Sequence, residues 1–255
     1  MTDILFASDL DNTLLYSRRH RRAGDLCVER LAGAEQGFMT PPAVELLRRV
    51  RAAMRFIPVT TRSVEQYRRI AWPAGTEPAY AVTTNGAVLL YRGAEDAAWR
   101  AEVAPVVAAA QEELMRLHAL HAENPAFLRC RIVDGAYLFV YCADHVDAEA
   151  CAAAYRAETH LAVLCSGRKI YFFPQGLDKG AALCALRQRF APARVYAAGD
   201  SIIDLPLLAA ADRAFAPRDL PFADSPHIRR HTGAEPFSEW LLGRLMDEFV
   251  GTSPA

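Results

Sequence analysis

The sequence has no excess of charge of either sign, since 29 lysines and arginines face 30 aspartates and glutamates for a formal net charge of -1. That balance excludes the strongly basic chains that bind nucleic acid or anionic membranes. Long hydrophobic runs are missing as well. No stretch approaches the roughly 18 apolar residues that span a bilayer. The opening Met1-Thr2-Asp3-Ile4 lacks the basic region of a secretory signal. Cysteines are few and unpatterned. Cys27, Cys130, Cys142, Cys151, Cys165 and Cys184 include no Cys-x-x-Cys and no adjacent histidine that would complete a metal set. Most sit in apolar stretches, where a free thiol packs as a small hydrophobe. The expectation is a reduced, cytoplasmic protein, monomeric or homodimeric, with no nucleic-acid or membrane partner.

What is present is a chain of 255 residues, 52% hydrophobic and 23% charged, enough to bury a large core without covalent staples and long enough for a main domain with an inserted module. Ile4 to Ala7 reads as a buried strand that ends in the polar loop Asp9-Leu10-Asp11-Asn12-Thr13. Thr40 and Pro41 open a helix, and Val44, Leu47, Val50 and Met54 keep its apolar face. Phe56 to Val59 is a second buried strand, ending in Thr60-Thr61-Arg62-Ser63.

Three hairpins follow, marked by Asn85-Gly86, Asp134-Gly135 and Ser166-Gly167. Among them lie a helix expected to start at Pro105 and another from about Ala148 to Thr159. From Asp178 the pattern returns to helix, strand and helix, the strand Arg194 to Ala198 running into Gly199-Asp200-Ser201-Ile202-Ile203-Asp204. Alternation of helix and strand at both ends predicts an α/β fold, a Rossmann-like parallel sheet with helices on both faces. The hairpins predict an inserted α+β cap. The expected division is a core of residues 1–86 and 174–255 with a cap of 87–173.

Asp9 and Asp11, Thr60, and Asp200 and Asp204 all follow apolar strands, and active sites of open parallel sheets lie beyond the carboxyl ends of the strands. Carboxylates brought together there cannot all stay ionised unless a cation joins them. Hard oxygen ligands without histidine favour Mg²⁺. Asp-x-Asp-x-Thr alone arises by chance in roughly one chain of this length in thirty. A second acidic motif after another strand makes coincidence a poor account.

In these motifs the sequence resembles the haloacid dehalogenase superfamily of aspartyl-phosphate phosphatases, matching in order Asp9-Leu10-Asp11-Asn12-Thr13, Thr60, Lys179 and Gly199-Asp200 through Asp204. The insertion occupies the position of the larger cap type found in sugar-phosphate phosphatases of that superfamily, and Asn85-Gly86-Ala87 resembles the subgroup's turn into the cap. Phe6-Ala7-Ser8-Asp9, Thr60-Thr61-Arg62 with Gln66-Tyr67-Arg68, and Gly167-Arg168-Lys169 are loosely similar to a bacterial subset encoded near tellurite-resistance stress genes.

The resemblance implies a Mg²⁺-dependent phosphohydrolase acting on a small phosphorylated metabolite. Asp9 would be the nucleophile, Asp11 the acid and base, and Thr60 and Lys179 the holders of phosphoryl oxygens. The metal would sit among Asp9, Asp11, Asp200 and Asp204, and Thr61, Arg62, Asn85, Gly86, Arg168 and Lys169 would face substrate. Ile203 departs from the pattern, which has asparagine there to support the metal site. Two other readings stay open: phosphoryl transfer to a second acceptor, as in a mutase, and a binding module that kept the fold. Arg168, Lys169, Arg62 and Arg68 together suggest a substrate with a second anionic group. The basic run Arg18 to Arg22, and His118, His121, His227 and His231, read as exposed surface, and Trp72, Trp99 and Trp240 as packing residues.

Overall fold

The computed structural model describes residues 4–222 and 225–250. The opening residues weighed as a signal and the outer ends of the expected core lie outside them. The chain begins with β1 (Ile4–Ser8), buried throughout beyond Ile4. A small antiparallel sheet follows: β2 (Tyr16–Ser17), β3 (Leu26–Leu31) and β4 (Ala34–Met39), ordered β2-β4-β3. The basic run falls in its β2–β3 connection, where Arg18–His20 form an exposed 3-10 turn.

Thr40 caps α1 (Pro41–Ala53) by accepting the Ala43 N–H at 3.2 Å, a contact of about 1 kcal/mol. After β5 (Arg55–Pro58), a Ser63–Gln66 capping box starts α2 (Val64–Arg68). Then come β6 (Tyr80–Thr83), β7 (Val88–Tyr91) and β8 (Ala94–Glu95). α3 (Ala97–His121) starts at Asp96, whose carboxylate accepts the Trp99 N–H at 3.0 Å. Pro105 therefore lies inside α3 instead of opening it.

The inserted sheet consists of β9 (Phe127–Val133), β10 (Tyr137–Cys142), β11 (Ala162–Ser166) and β12 (Lys169–Phe173), with α4 (Ala148–Glu158) between β10 and β11. The chain then returns through α5 (Lys179–Phe190), β13 (Arg194–Ala198), α6 (Leu205–Ala209), β14 (Arg213–Pro217), β15 (Ile228–His231) and α7 (Phe237–Val250).

The central sheet is parallel, in the order β15-β14-β13-β1-β5. Alternation along its strands feeds two cores. Phe6, Tyr196 and Ala198 pack under Val44 and Leu47 of α1 and Leu241 and Leu245 of α7. Leu5, Ala7, Val195 and Ala197 pack under Leu183 and Leu186 of α5 and Leu207 and Leu208 of α6. The β6–β7 hairpin joins this body through a Val59–Val82 bridge, and Val88 to Leu90 pack into the same two cores.

The antiparallel sheet is ordered β11-β12-β10-β9. One face, even-numbered on β9, β10 and β12 and odd-numbered on β11, carries Leu138, Val140, Ile170 and Phe172 and is sealed by Leu114 and Leu117 of α3 and Ala148 and Ala152 of α4. The opposite face turns toward the central body, where Val133, Tyr137, Tyr171 and Phe173 meet Ile203. Asp134 and Gly135, both with positive φ, make the β9–β10 turn.

Two histidines differ from the surface expectation. His121 is buried, its Nε2 bonded to the Tyr155 hydroxyl at 2.8 Å. His231 lies on β15 with its ring 5.1 Å from Trp240. All six cysteines are free thiols.

Candidate active site

β1 is flanked by β13 and β5 in matched register, Ser8 lying opposite Ala198 and Pro58, so the three strands end side by side. The Asp9 N–H continues the ladder onto the Ala198 carbonyl at 2.9 Å, and the Thr60 N–H donates to the Val82 carbonyl at 2.9 Å. The acidic loops thereby meet. One carboxylate oxygen each from Asp9, Asp200 and Asp204 lies within 4.8 Å of the others.

Lys179, the first residue of α5, is buried among them, and its Nζ donates to Asp9 Oδ1 at 2.5 Å and Asp204 Oδ1 at 2.6 Å. The Thr13 hydroxyl bridges Asp200 at 3.2 Å and Asp9 Oδ2 at 3.5 Å. The other oxygen of Asp204 accepts the N–H groups of Asp200 at 3.1 Å and Ser201 at 2.9 Å and the Ser201 hydroxyl at 2.8 Å. Gly199 permits that fold-back, since a Cβ there would stand 2.3 Å from the Cβ of Asp204.

Three carboxylates and one ammonium leave this buried cluster short of positive charge. Burial pushes Asp9 well above the carboxylate range; Lys179 opposes the shift, while Asp204, Asp200 and Asp11 add to it. Burial and the charge of Asp204 push Asp200 up to about 7, against Lys179 and the Thr13 hydroxyl. Lys179 stays charged, because Asp204 and Asp9 more than offset the burial that would lower it. This donor set of hard oxygens with unmet negative charge fits a divalent cation. The open oxygens belong to Asp9 and Asp200, since both oxygens of Asp204 are already engaged.

No protein-family model matches the chain, and no curated protein sequence matches it. Solved structures do. Sucrose-phosphatase from Synechocystis sp. PCC6803 is 18% identical and superposes with a TM-score of 0.68 over 98% of this chain and 99% of that one. A haloacid dehalogenase-like hydrolase from B. subtilis is 16% identical, with a TM-score of 0.61 over 94% and 99%. A member of the haloalkanoate phosphatase superfamily from Bacteroides thetaiotaomicron is 15% identical, with a TM-score of 0.59 over 98% and 96%. The chain has the haloacid dehalogenase-like fold with an inserted cap.

On this fold the residues singled out from sequence divide into groups. Asp9, Asp200, Asp204 and Lys179 come together. Thr60 is fully buried beside them, its hydroxyl accepting the Arg62 N–H at 3.1 Å. Asp11 stands apart from the acidic cluster. Its half-exposed carboxylate is held in a two-pronged pair by Arg62 Nε and Nη2, both at 2.8 Å, and Arg62 also meets Glu29 at 2.9 Å. Partial desolvation between cap and core would raise Asp11, but the Arg62 charge and hydrogen bonds, with help from Lys169 and Lys179, outweigh it and keep the group below the usual carboxylate range.

Asn85 and Gly86 face inward. The Asn85 side chain donates to the Leu177 carbonyl at 3.0 Å, and Gly86, at φ +114, lies so close to α5 that a Cβ would be 3.2 Å from the Asp178 carbonyl. They clasp the turn to the start of α5, outside the cavity that holds Asp11. Ile203 leaves the site for Tyr137, Tyr171 and Phe173, so Asp204 and Ser201 brace the loop in its place. Of the two cap cations expected over the site, only Lys169 faces it. Arg168 is taken by Asp144 and by the Cys142 carbonyl, and its guanidinium lies 4.5 Å from the Tyr141 ring center. Arg68 donates to the Gly93 carbonyl at 2.8 Å.

A cavity of about 500 Å³ opens between cap and core above Asp11. Thr61, Arg62 and Gln66 line it from below and Arg129, Arg131, Tyr137, Phe139, Tyr141, Lys169 and Tyr171 from above. The cap is tied down at its rim, where Tyr137 donates to the Thr61 carbonyl at 2.6 Å and Asp134 accepts the Val64 N–H at 2.9 Å and the Thr84 hydroxyl at 2.5 Å. Glu29, Arg129, Arg131 and the tyrosines escape a reading by sequence motif. Their only signal is alternation within short strands, which does not say what lies opposite.

Proposed function

We propose that the protein is a Mg²⁺-dependent phosphohydrolase that cleaves a small phosphorylated metabolite by way of an aspartyl phosphate on Asp9. The observation that carries this is the buried, charge-deficient cluster of Asp9, Asp200 and Asp204 around Lys179 at the strand ends, with Asp11 of the same first loop opening into the cavity. The relatives in fold are named as phosphatases and hydrolases, which agrees with the reading.

Asp9 and Asp200 would hold the cation, with Asp204 bracing their loop. When bound, Mg²⁺ offsets repulsion between an anionic nucleophile and an anionic substrate. Lys179 holds Asp9 Oδ1, so its ammonium would stand beside the phosphoryl oxygens as Asp9 attacks. Thr60 follows β5 next to the end of β1, where the Val59 N–H donates to the Ser8 carbonyl at 2.8 Å, so its hydroxyl would be available to a phosphoryl oxygen.

Asp11, held anionic by Arg62, is suited to take a proton from the water that splits the intermediate. To protonate a leaving oxygen first, it must loosen from Arg62 and take up a proton from solvent, a movement that an anionic substrate drawing on the same guanidinium would promote. A core of residues 1–86 and 174–255 and a cap of 87–173 belong to this proposal, with the cap governing access. The separate apolar cluster beneath α3 and α4 supports it.

The test is phosphate release from p-nitrophenyl phosphate with Mg²⁺ and with chelator. Activity should vanish on chelation and return with Mg²⁺, and Asp9→Asn should lose at least about a thousandfold. An Asp9→Asn rate within tenfold of the parent rules Asp9 out as the nucleophile.

A further inference from the structure

We infer that the cavity selects phosphomonoesters whose leaving group carries a second anionic group, a carboxylate or another phosphate, and that Arg129, Arg131 and Lys169 hold it. The inference rests on the phosphatase reading for the first phosphate and on the cap register for the second group.

Pairing across β9, β10 and β12 arranges the odd-numbered face in three rows. Val133, Tyr137 and Phe173 form the first, Arg131, Phe139 and Tyr171 the second, and Arg129, Tyr141 and Lys169 the third. The first row is largely covered, since Val133 and Phe173 pack with Ile203 and only Tyr137 reaches the cavity. The second lines the cavity together with Asp11. Burial, with the charges of Asp11, Asp9 and Asp204, pushes the Tyr171 hydroxyl up, while Lys179 opposes the shift. The third row stands about 7 Å farther along the strands, two residues at the usual rise. A phosphoryl group at Asp9 and an anion at the third row are thus separated by the length of a short sugar or polyol.

Charge accounting decides what the far end accepts. Of the arginines named from sequence, Arg62 is neutralised by Asp11 and Glu29 and Arg168 by Asp144, while Arg68 is turned away to the Gly93 carbonyl. Among the described residues no carboxylate lies within ion-pairing distance of Arg129, Arg131 or Lys169. Three unmatched cations in one concave wall are more than the transferring phosphate uses, since Lys179 and the metal site already serve it. They form a field for a second anion, and guanidinium groups suit carboxylate and phosphate equally. Phe139, Tyr141 and Tyr171 supply flat apolar surface for the carbon skeleton between the two.

Three six-carbon probes separate the cases: glucose 6-phosphate, 6-phosphogluconate and glucose 1,6-bisphosphate. With Mg²⁺, the parent should favour one or both doubly anionic probes over glucose 6-phosphate by at least about thirtyfold in kcat/KM, and the better of the two identifies the second group. Arg129→Ala with Arg131→Ala, and separately Lys169→Ala, should shrink that ratio, to within about threefold for the double variant, through KM. A parent ratio near one, or a ratio that survives the double variant, overturns the inference while leaving the phosphatase reading intact. Calorimetric binding to Asp9→Asn provides a readout independent of turnover. If no probe is hydrolysed, yet the doubly anionic ones bind at least tenfold tighter in an arginine-dependent way, the phosphatase reading fails and the anion pocket stands. Neither turnover nor binding preference overturns both.

Discussion

Replacing Lys179 by methionine tests the electrostatic design of the site without reference to catalysis. The side chain is buried between Asp9 and Asp204, with contacts of 2.5 and 2.6 Å. At an effective dielectric of about 20 each contact corresponds to about 6 kcal/mol of Coulomb energy, an upper limit that desolvation largely offsets. Removing one member of a buried pair typically costs about 3–5 kcal/mol.

Protonation sets a ceiling on that loss. An aspartate with an ordinary value of 3.8 can be neutralised at pH 7.5 for about 5 kcal/mol, so the orphaned acid takes up a proton once the cost exceeds this. The sign follows. In the variant the acid's folded pKa is raised above its unfolded value, so the stability tied to it is complete below about pH 4 and is lost as pH rises toward the folded value. The variant's deficit relative to the parent should therefore be largest at pH 8 and shrink by up to about 1.4 kcal/mol per pH unit toward pH 5.5. Urea denaturation in chelator, followed by tryptophan fluorescence at both pH values, measures it. A deficit below about 1 kcal/mol, or one independent of pH, would refute the idea that Lys179 neutralises this cluster.

Three further outcomes are expected. Asp200, pushed up to about 7, must lose its proton to bind metal, so the thermal shift produced by Mg²⁺ should be large at pH 8. Its apparent affinity should fall by up to about tenfold per pH unit below 7, and an equal shift at pH 5.5 would contradict this. Asp11→Asn should slow breakdown of the phosphorylated intermediate, so that mass spectrometry of quenched protein finds a phosphoryl group on the peptide holding Asp9; rapid dephosphorylation counts against Asp11 as the base. Asp134→Ala removes the acceptor for the Val64 N–H and the Thr84 hydroxyl and should loosen the cap by about 1–3 kcal/mol, seen as faster amide exchange at Val64, whereas unchanged exchange would show that the contact does not hold the cap.

The acidic centre was legible because it follows strand segments without a charge, Ile4 to Ala7 and Val195 to Ala198, where a sudden aspartate has few structural reasons to be present. Hairpins at Asp134-Gly135 and Ser166-Gly167 were legible because their turns demand positive φ. The β2–β4 sheet was not, because Glu29, Arg30 and Glu35 break its apolar alternation. Pro105 misled because proline favours a first helical turn, yet the Asp96 cap already opens α3 upstream. The cap cations were misassigned for a geometric reason. Arg168 belongs to the turn before β12 and is drawn off by Asp144 and the Cys142 carbonyl, whereas Lys169, the first residue of the strand, lines the cavity. Which partners lay beside Lys169 depended on a β9–β10–β12 register that no single strand encodes.

That register also decides what mutation can change. In the cap strands, alternate letters answer to different pressures. Substitutions at Leu138, Val140, Ile170 and Phe172 are judged by whether the sheet still holds its helices. Those at Arg129, Arg131, Phe139, Tyr141 and Lys169 leave that interior untouched and are judged by what the cavity admits. A lineage carrying this scaffold can exchange one clientele for another by drifting at every second position, while the intervening positions keep the roof in one piece.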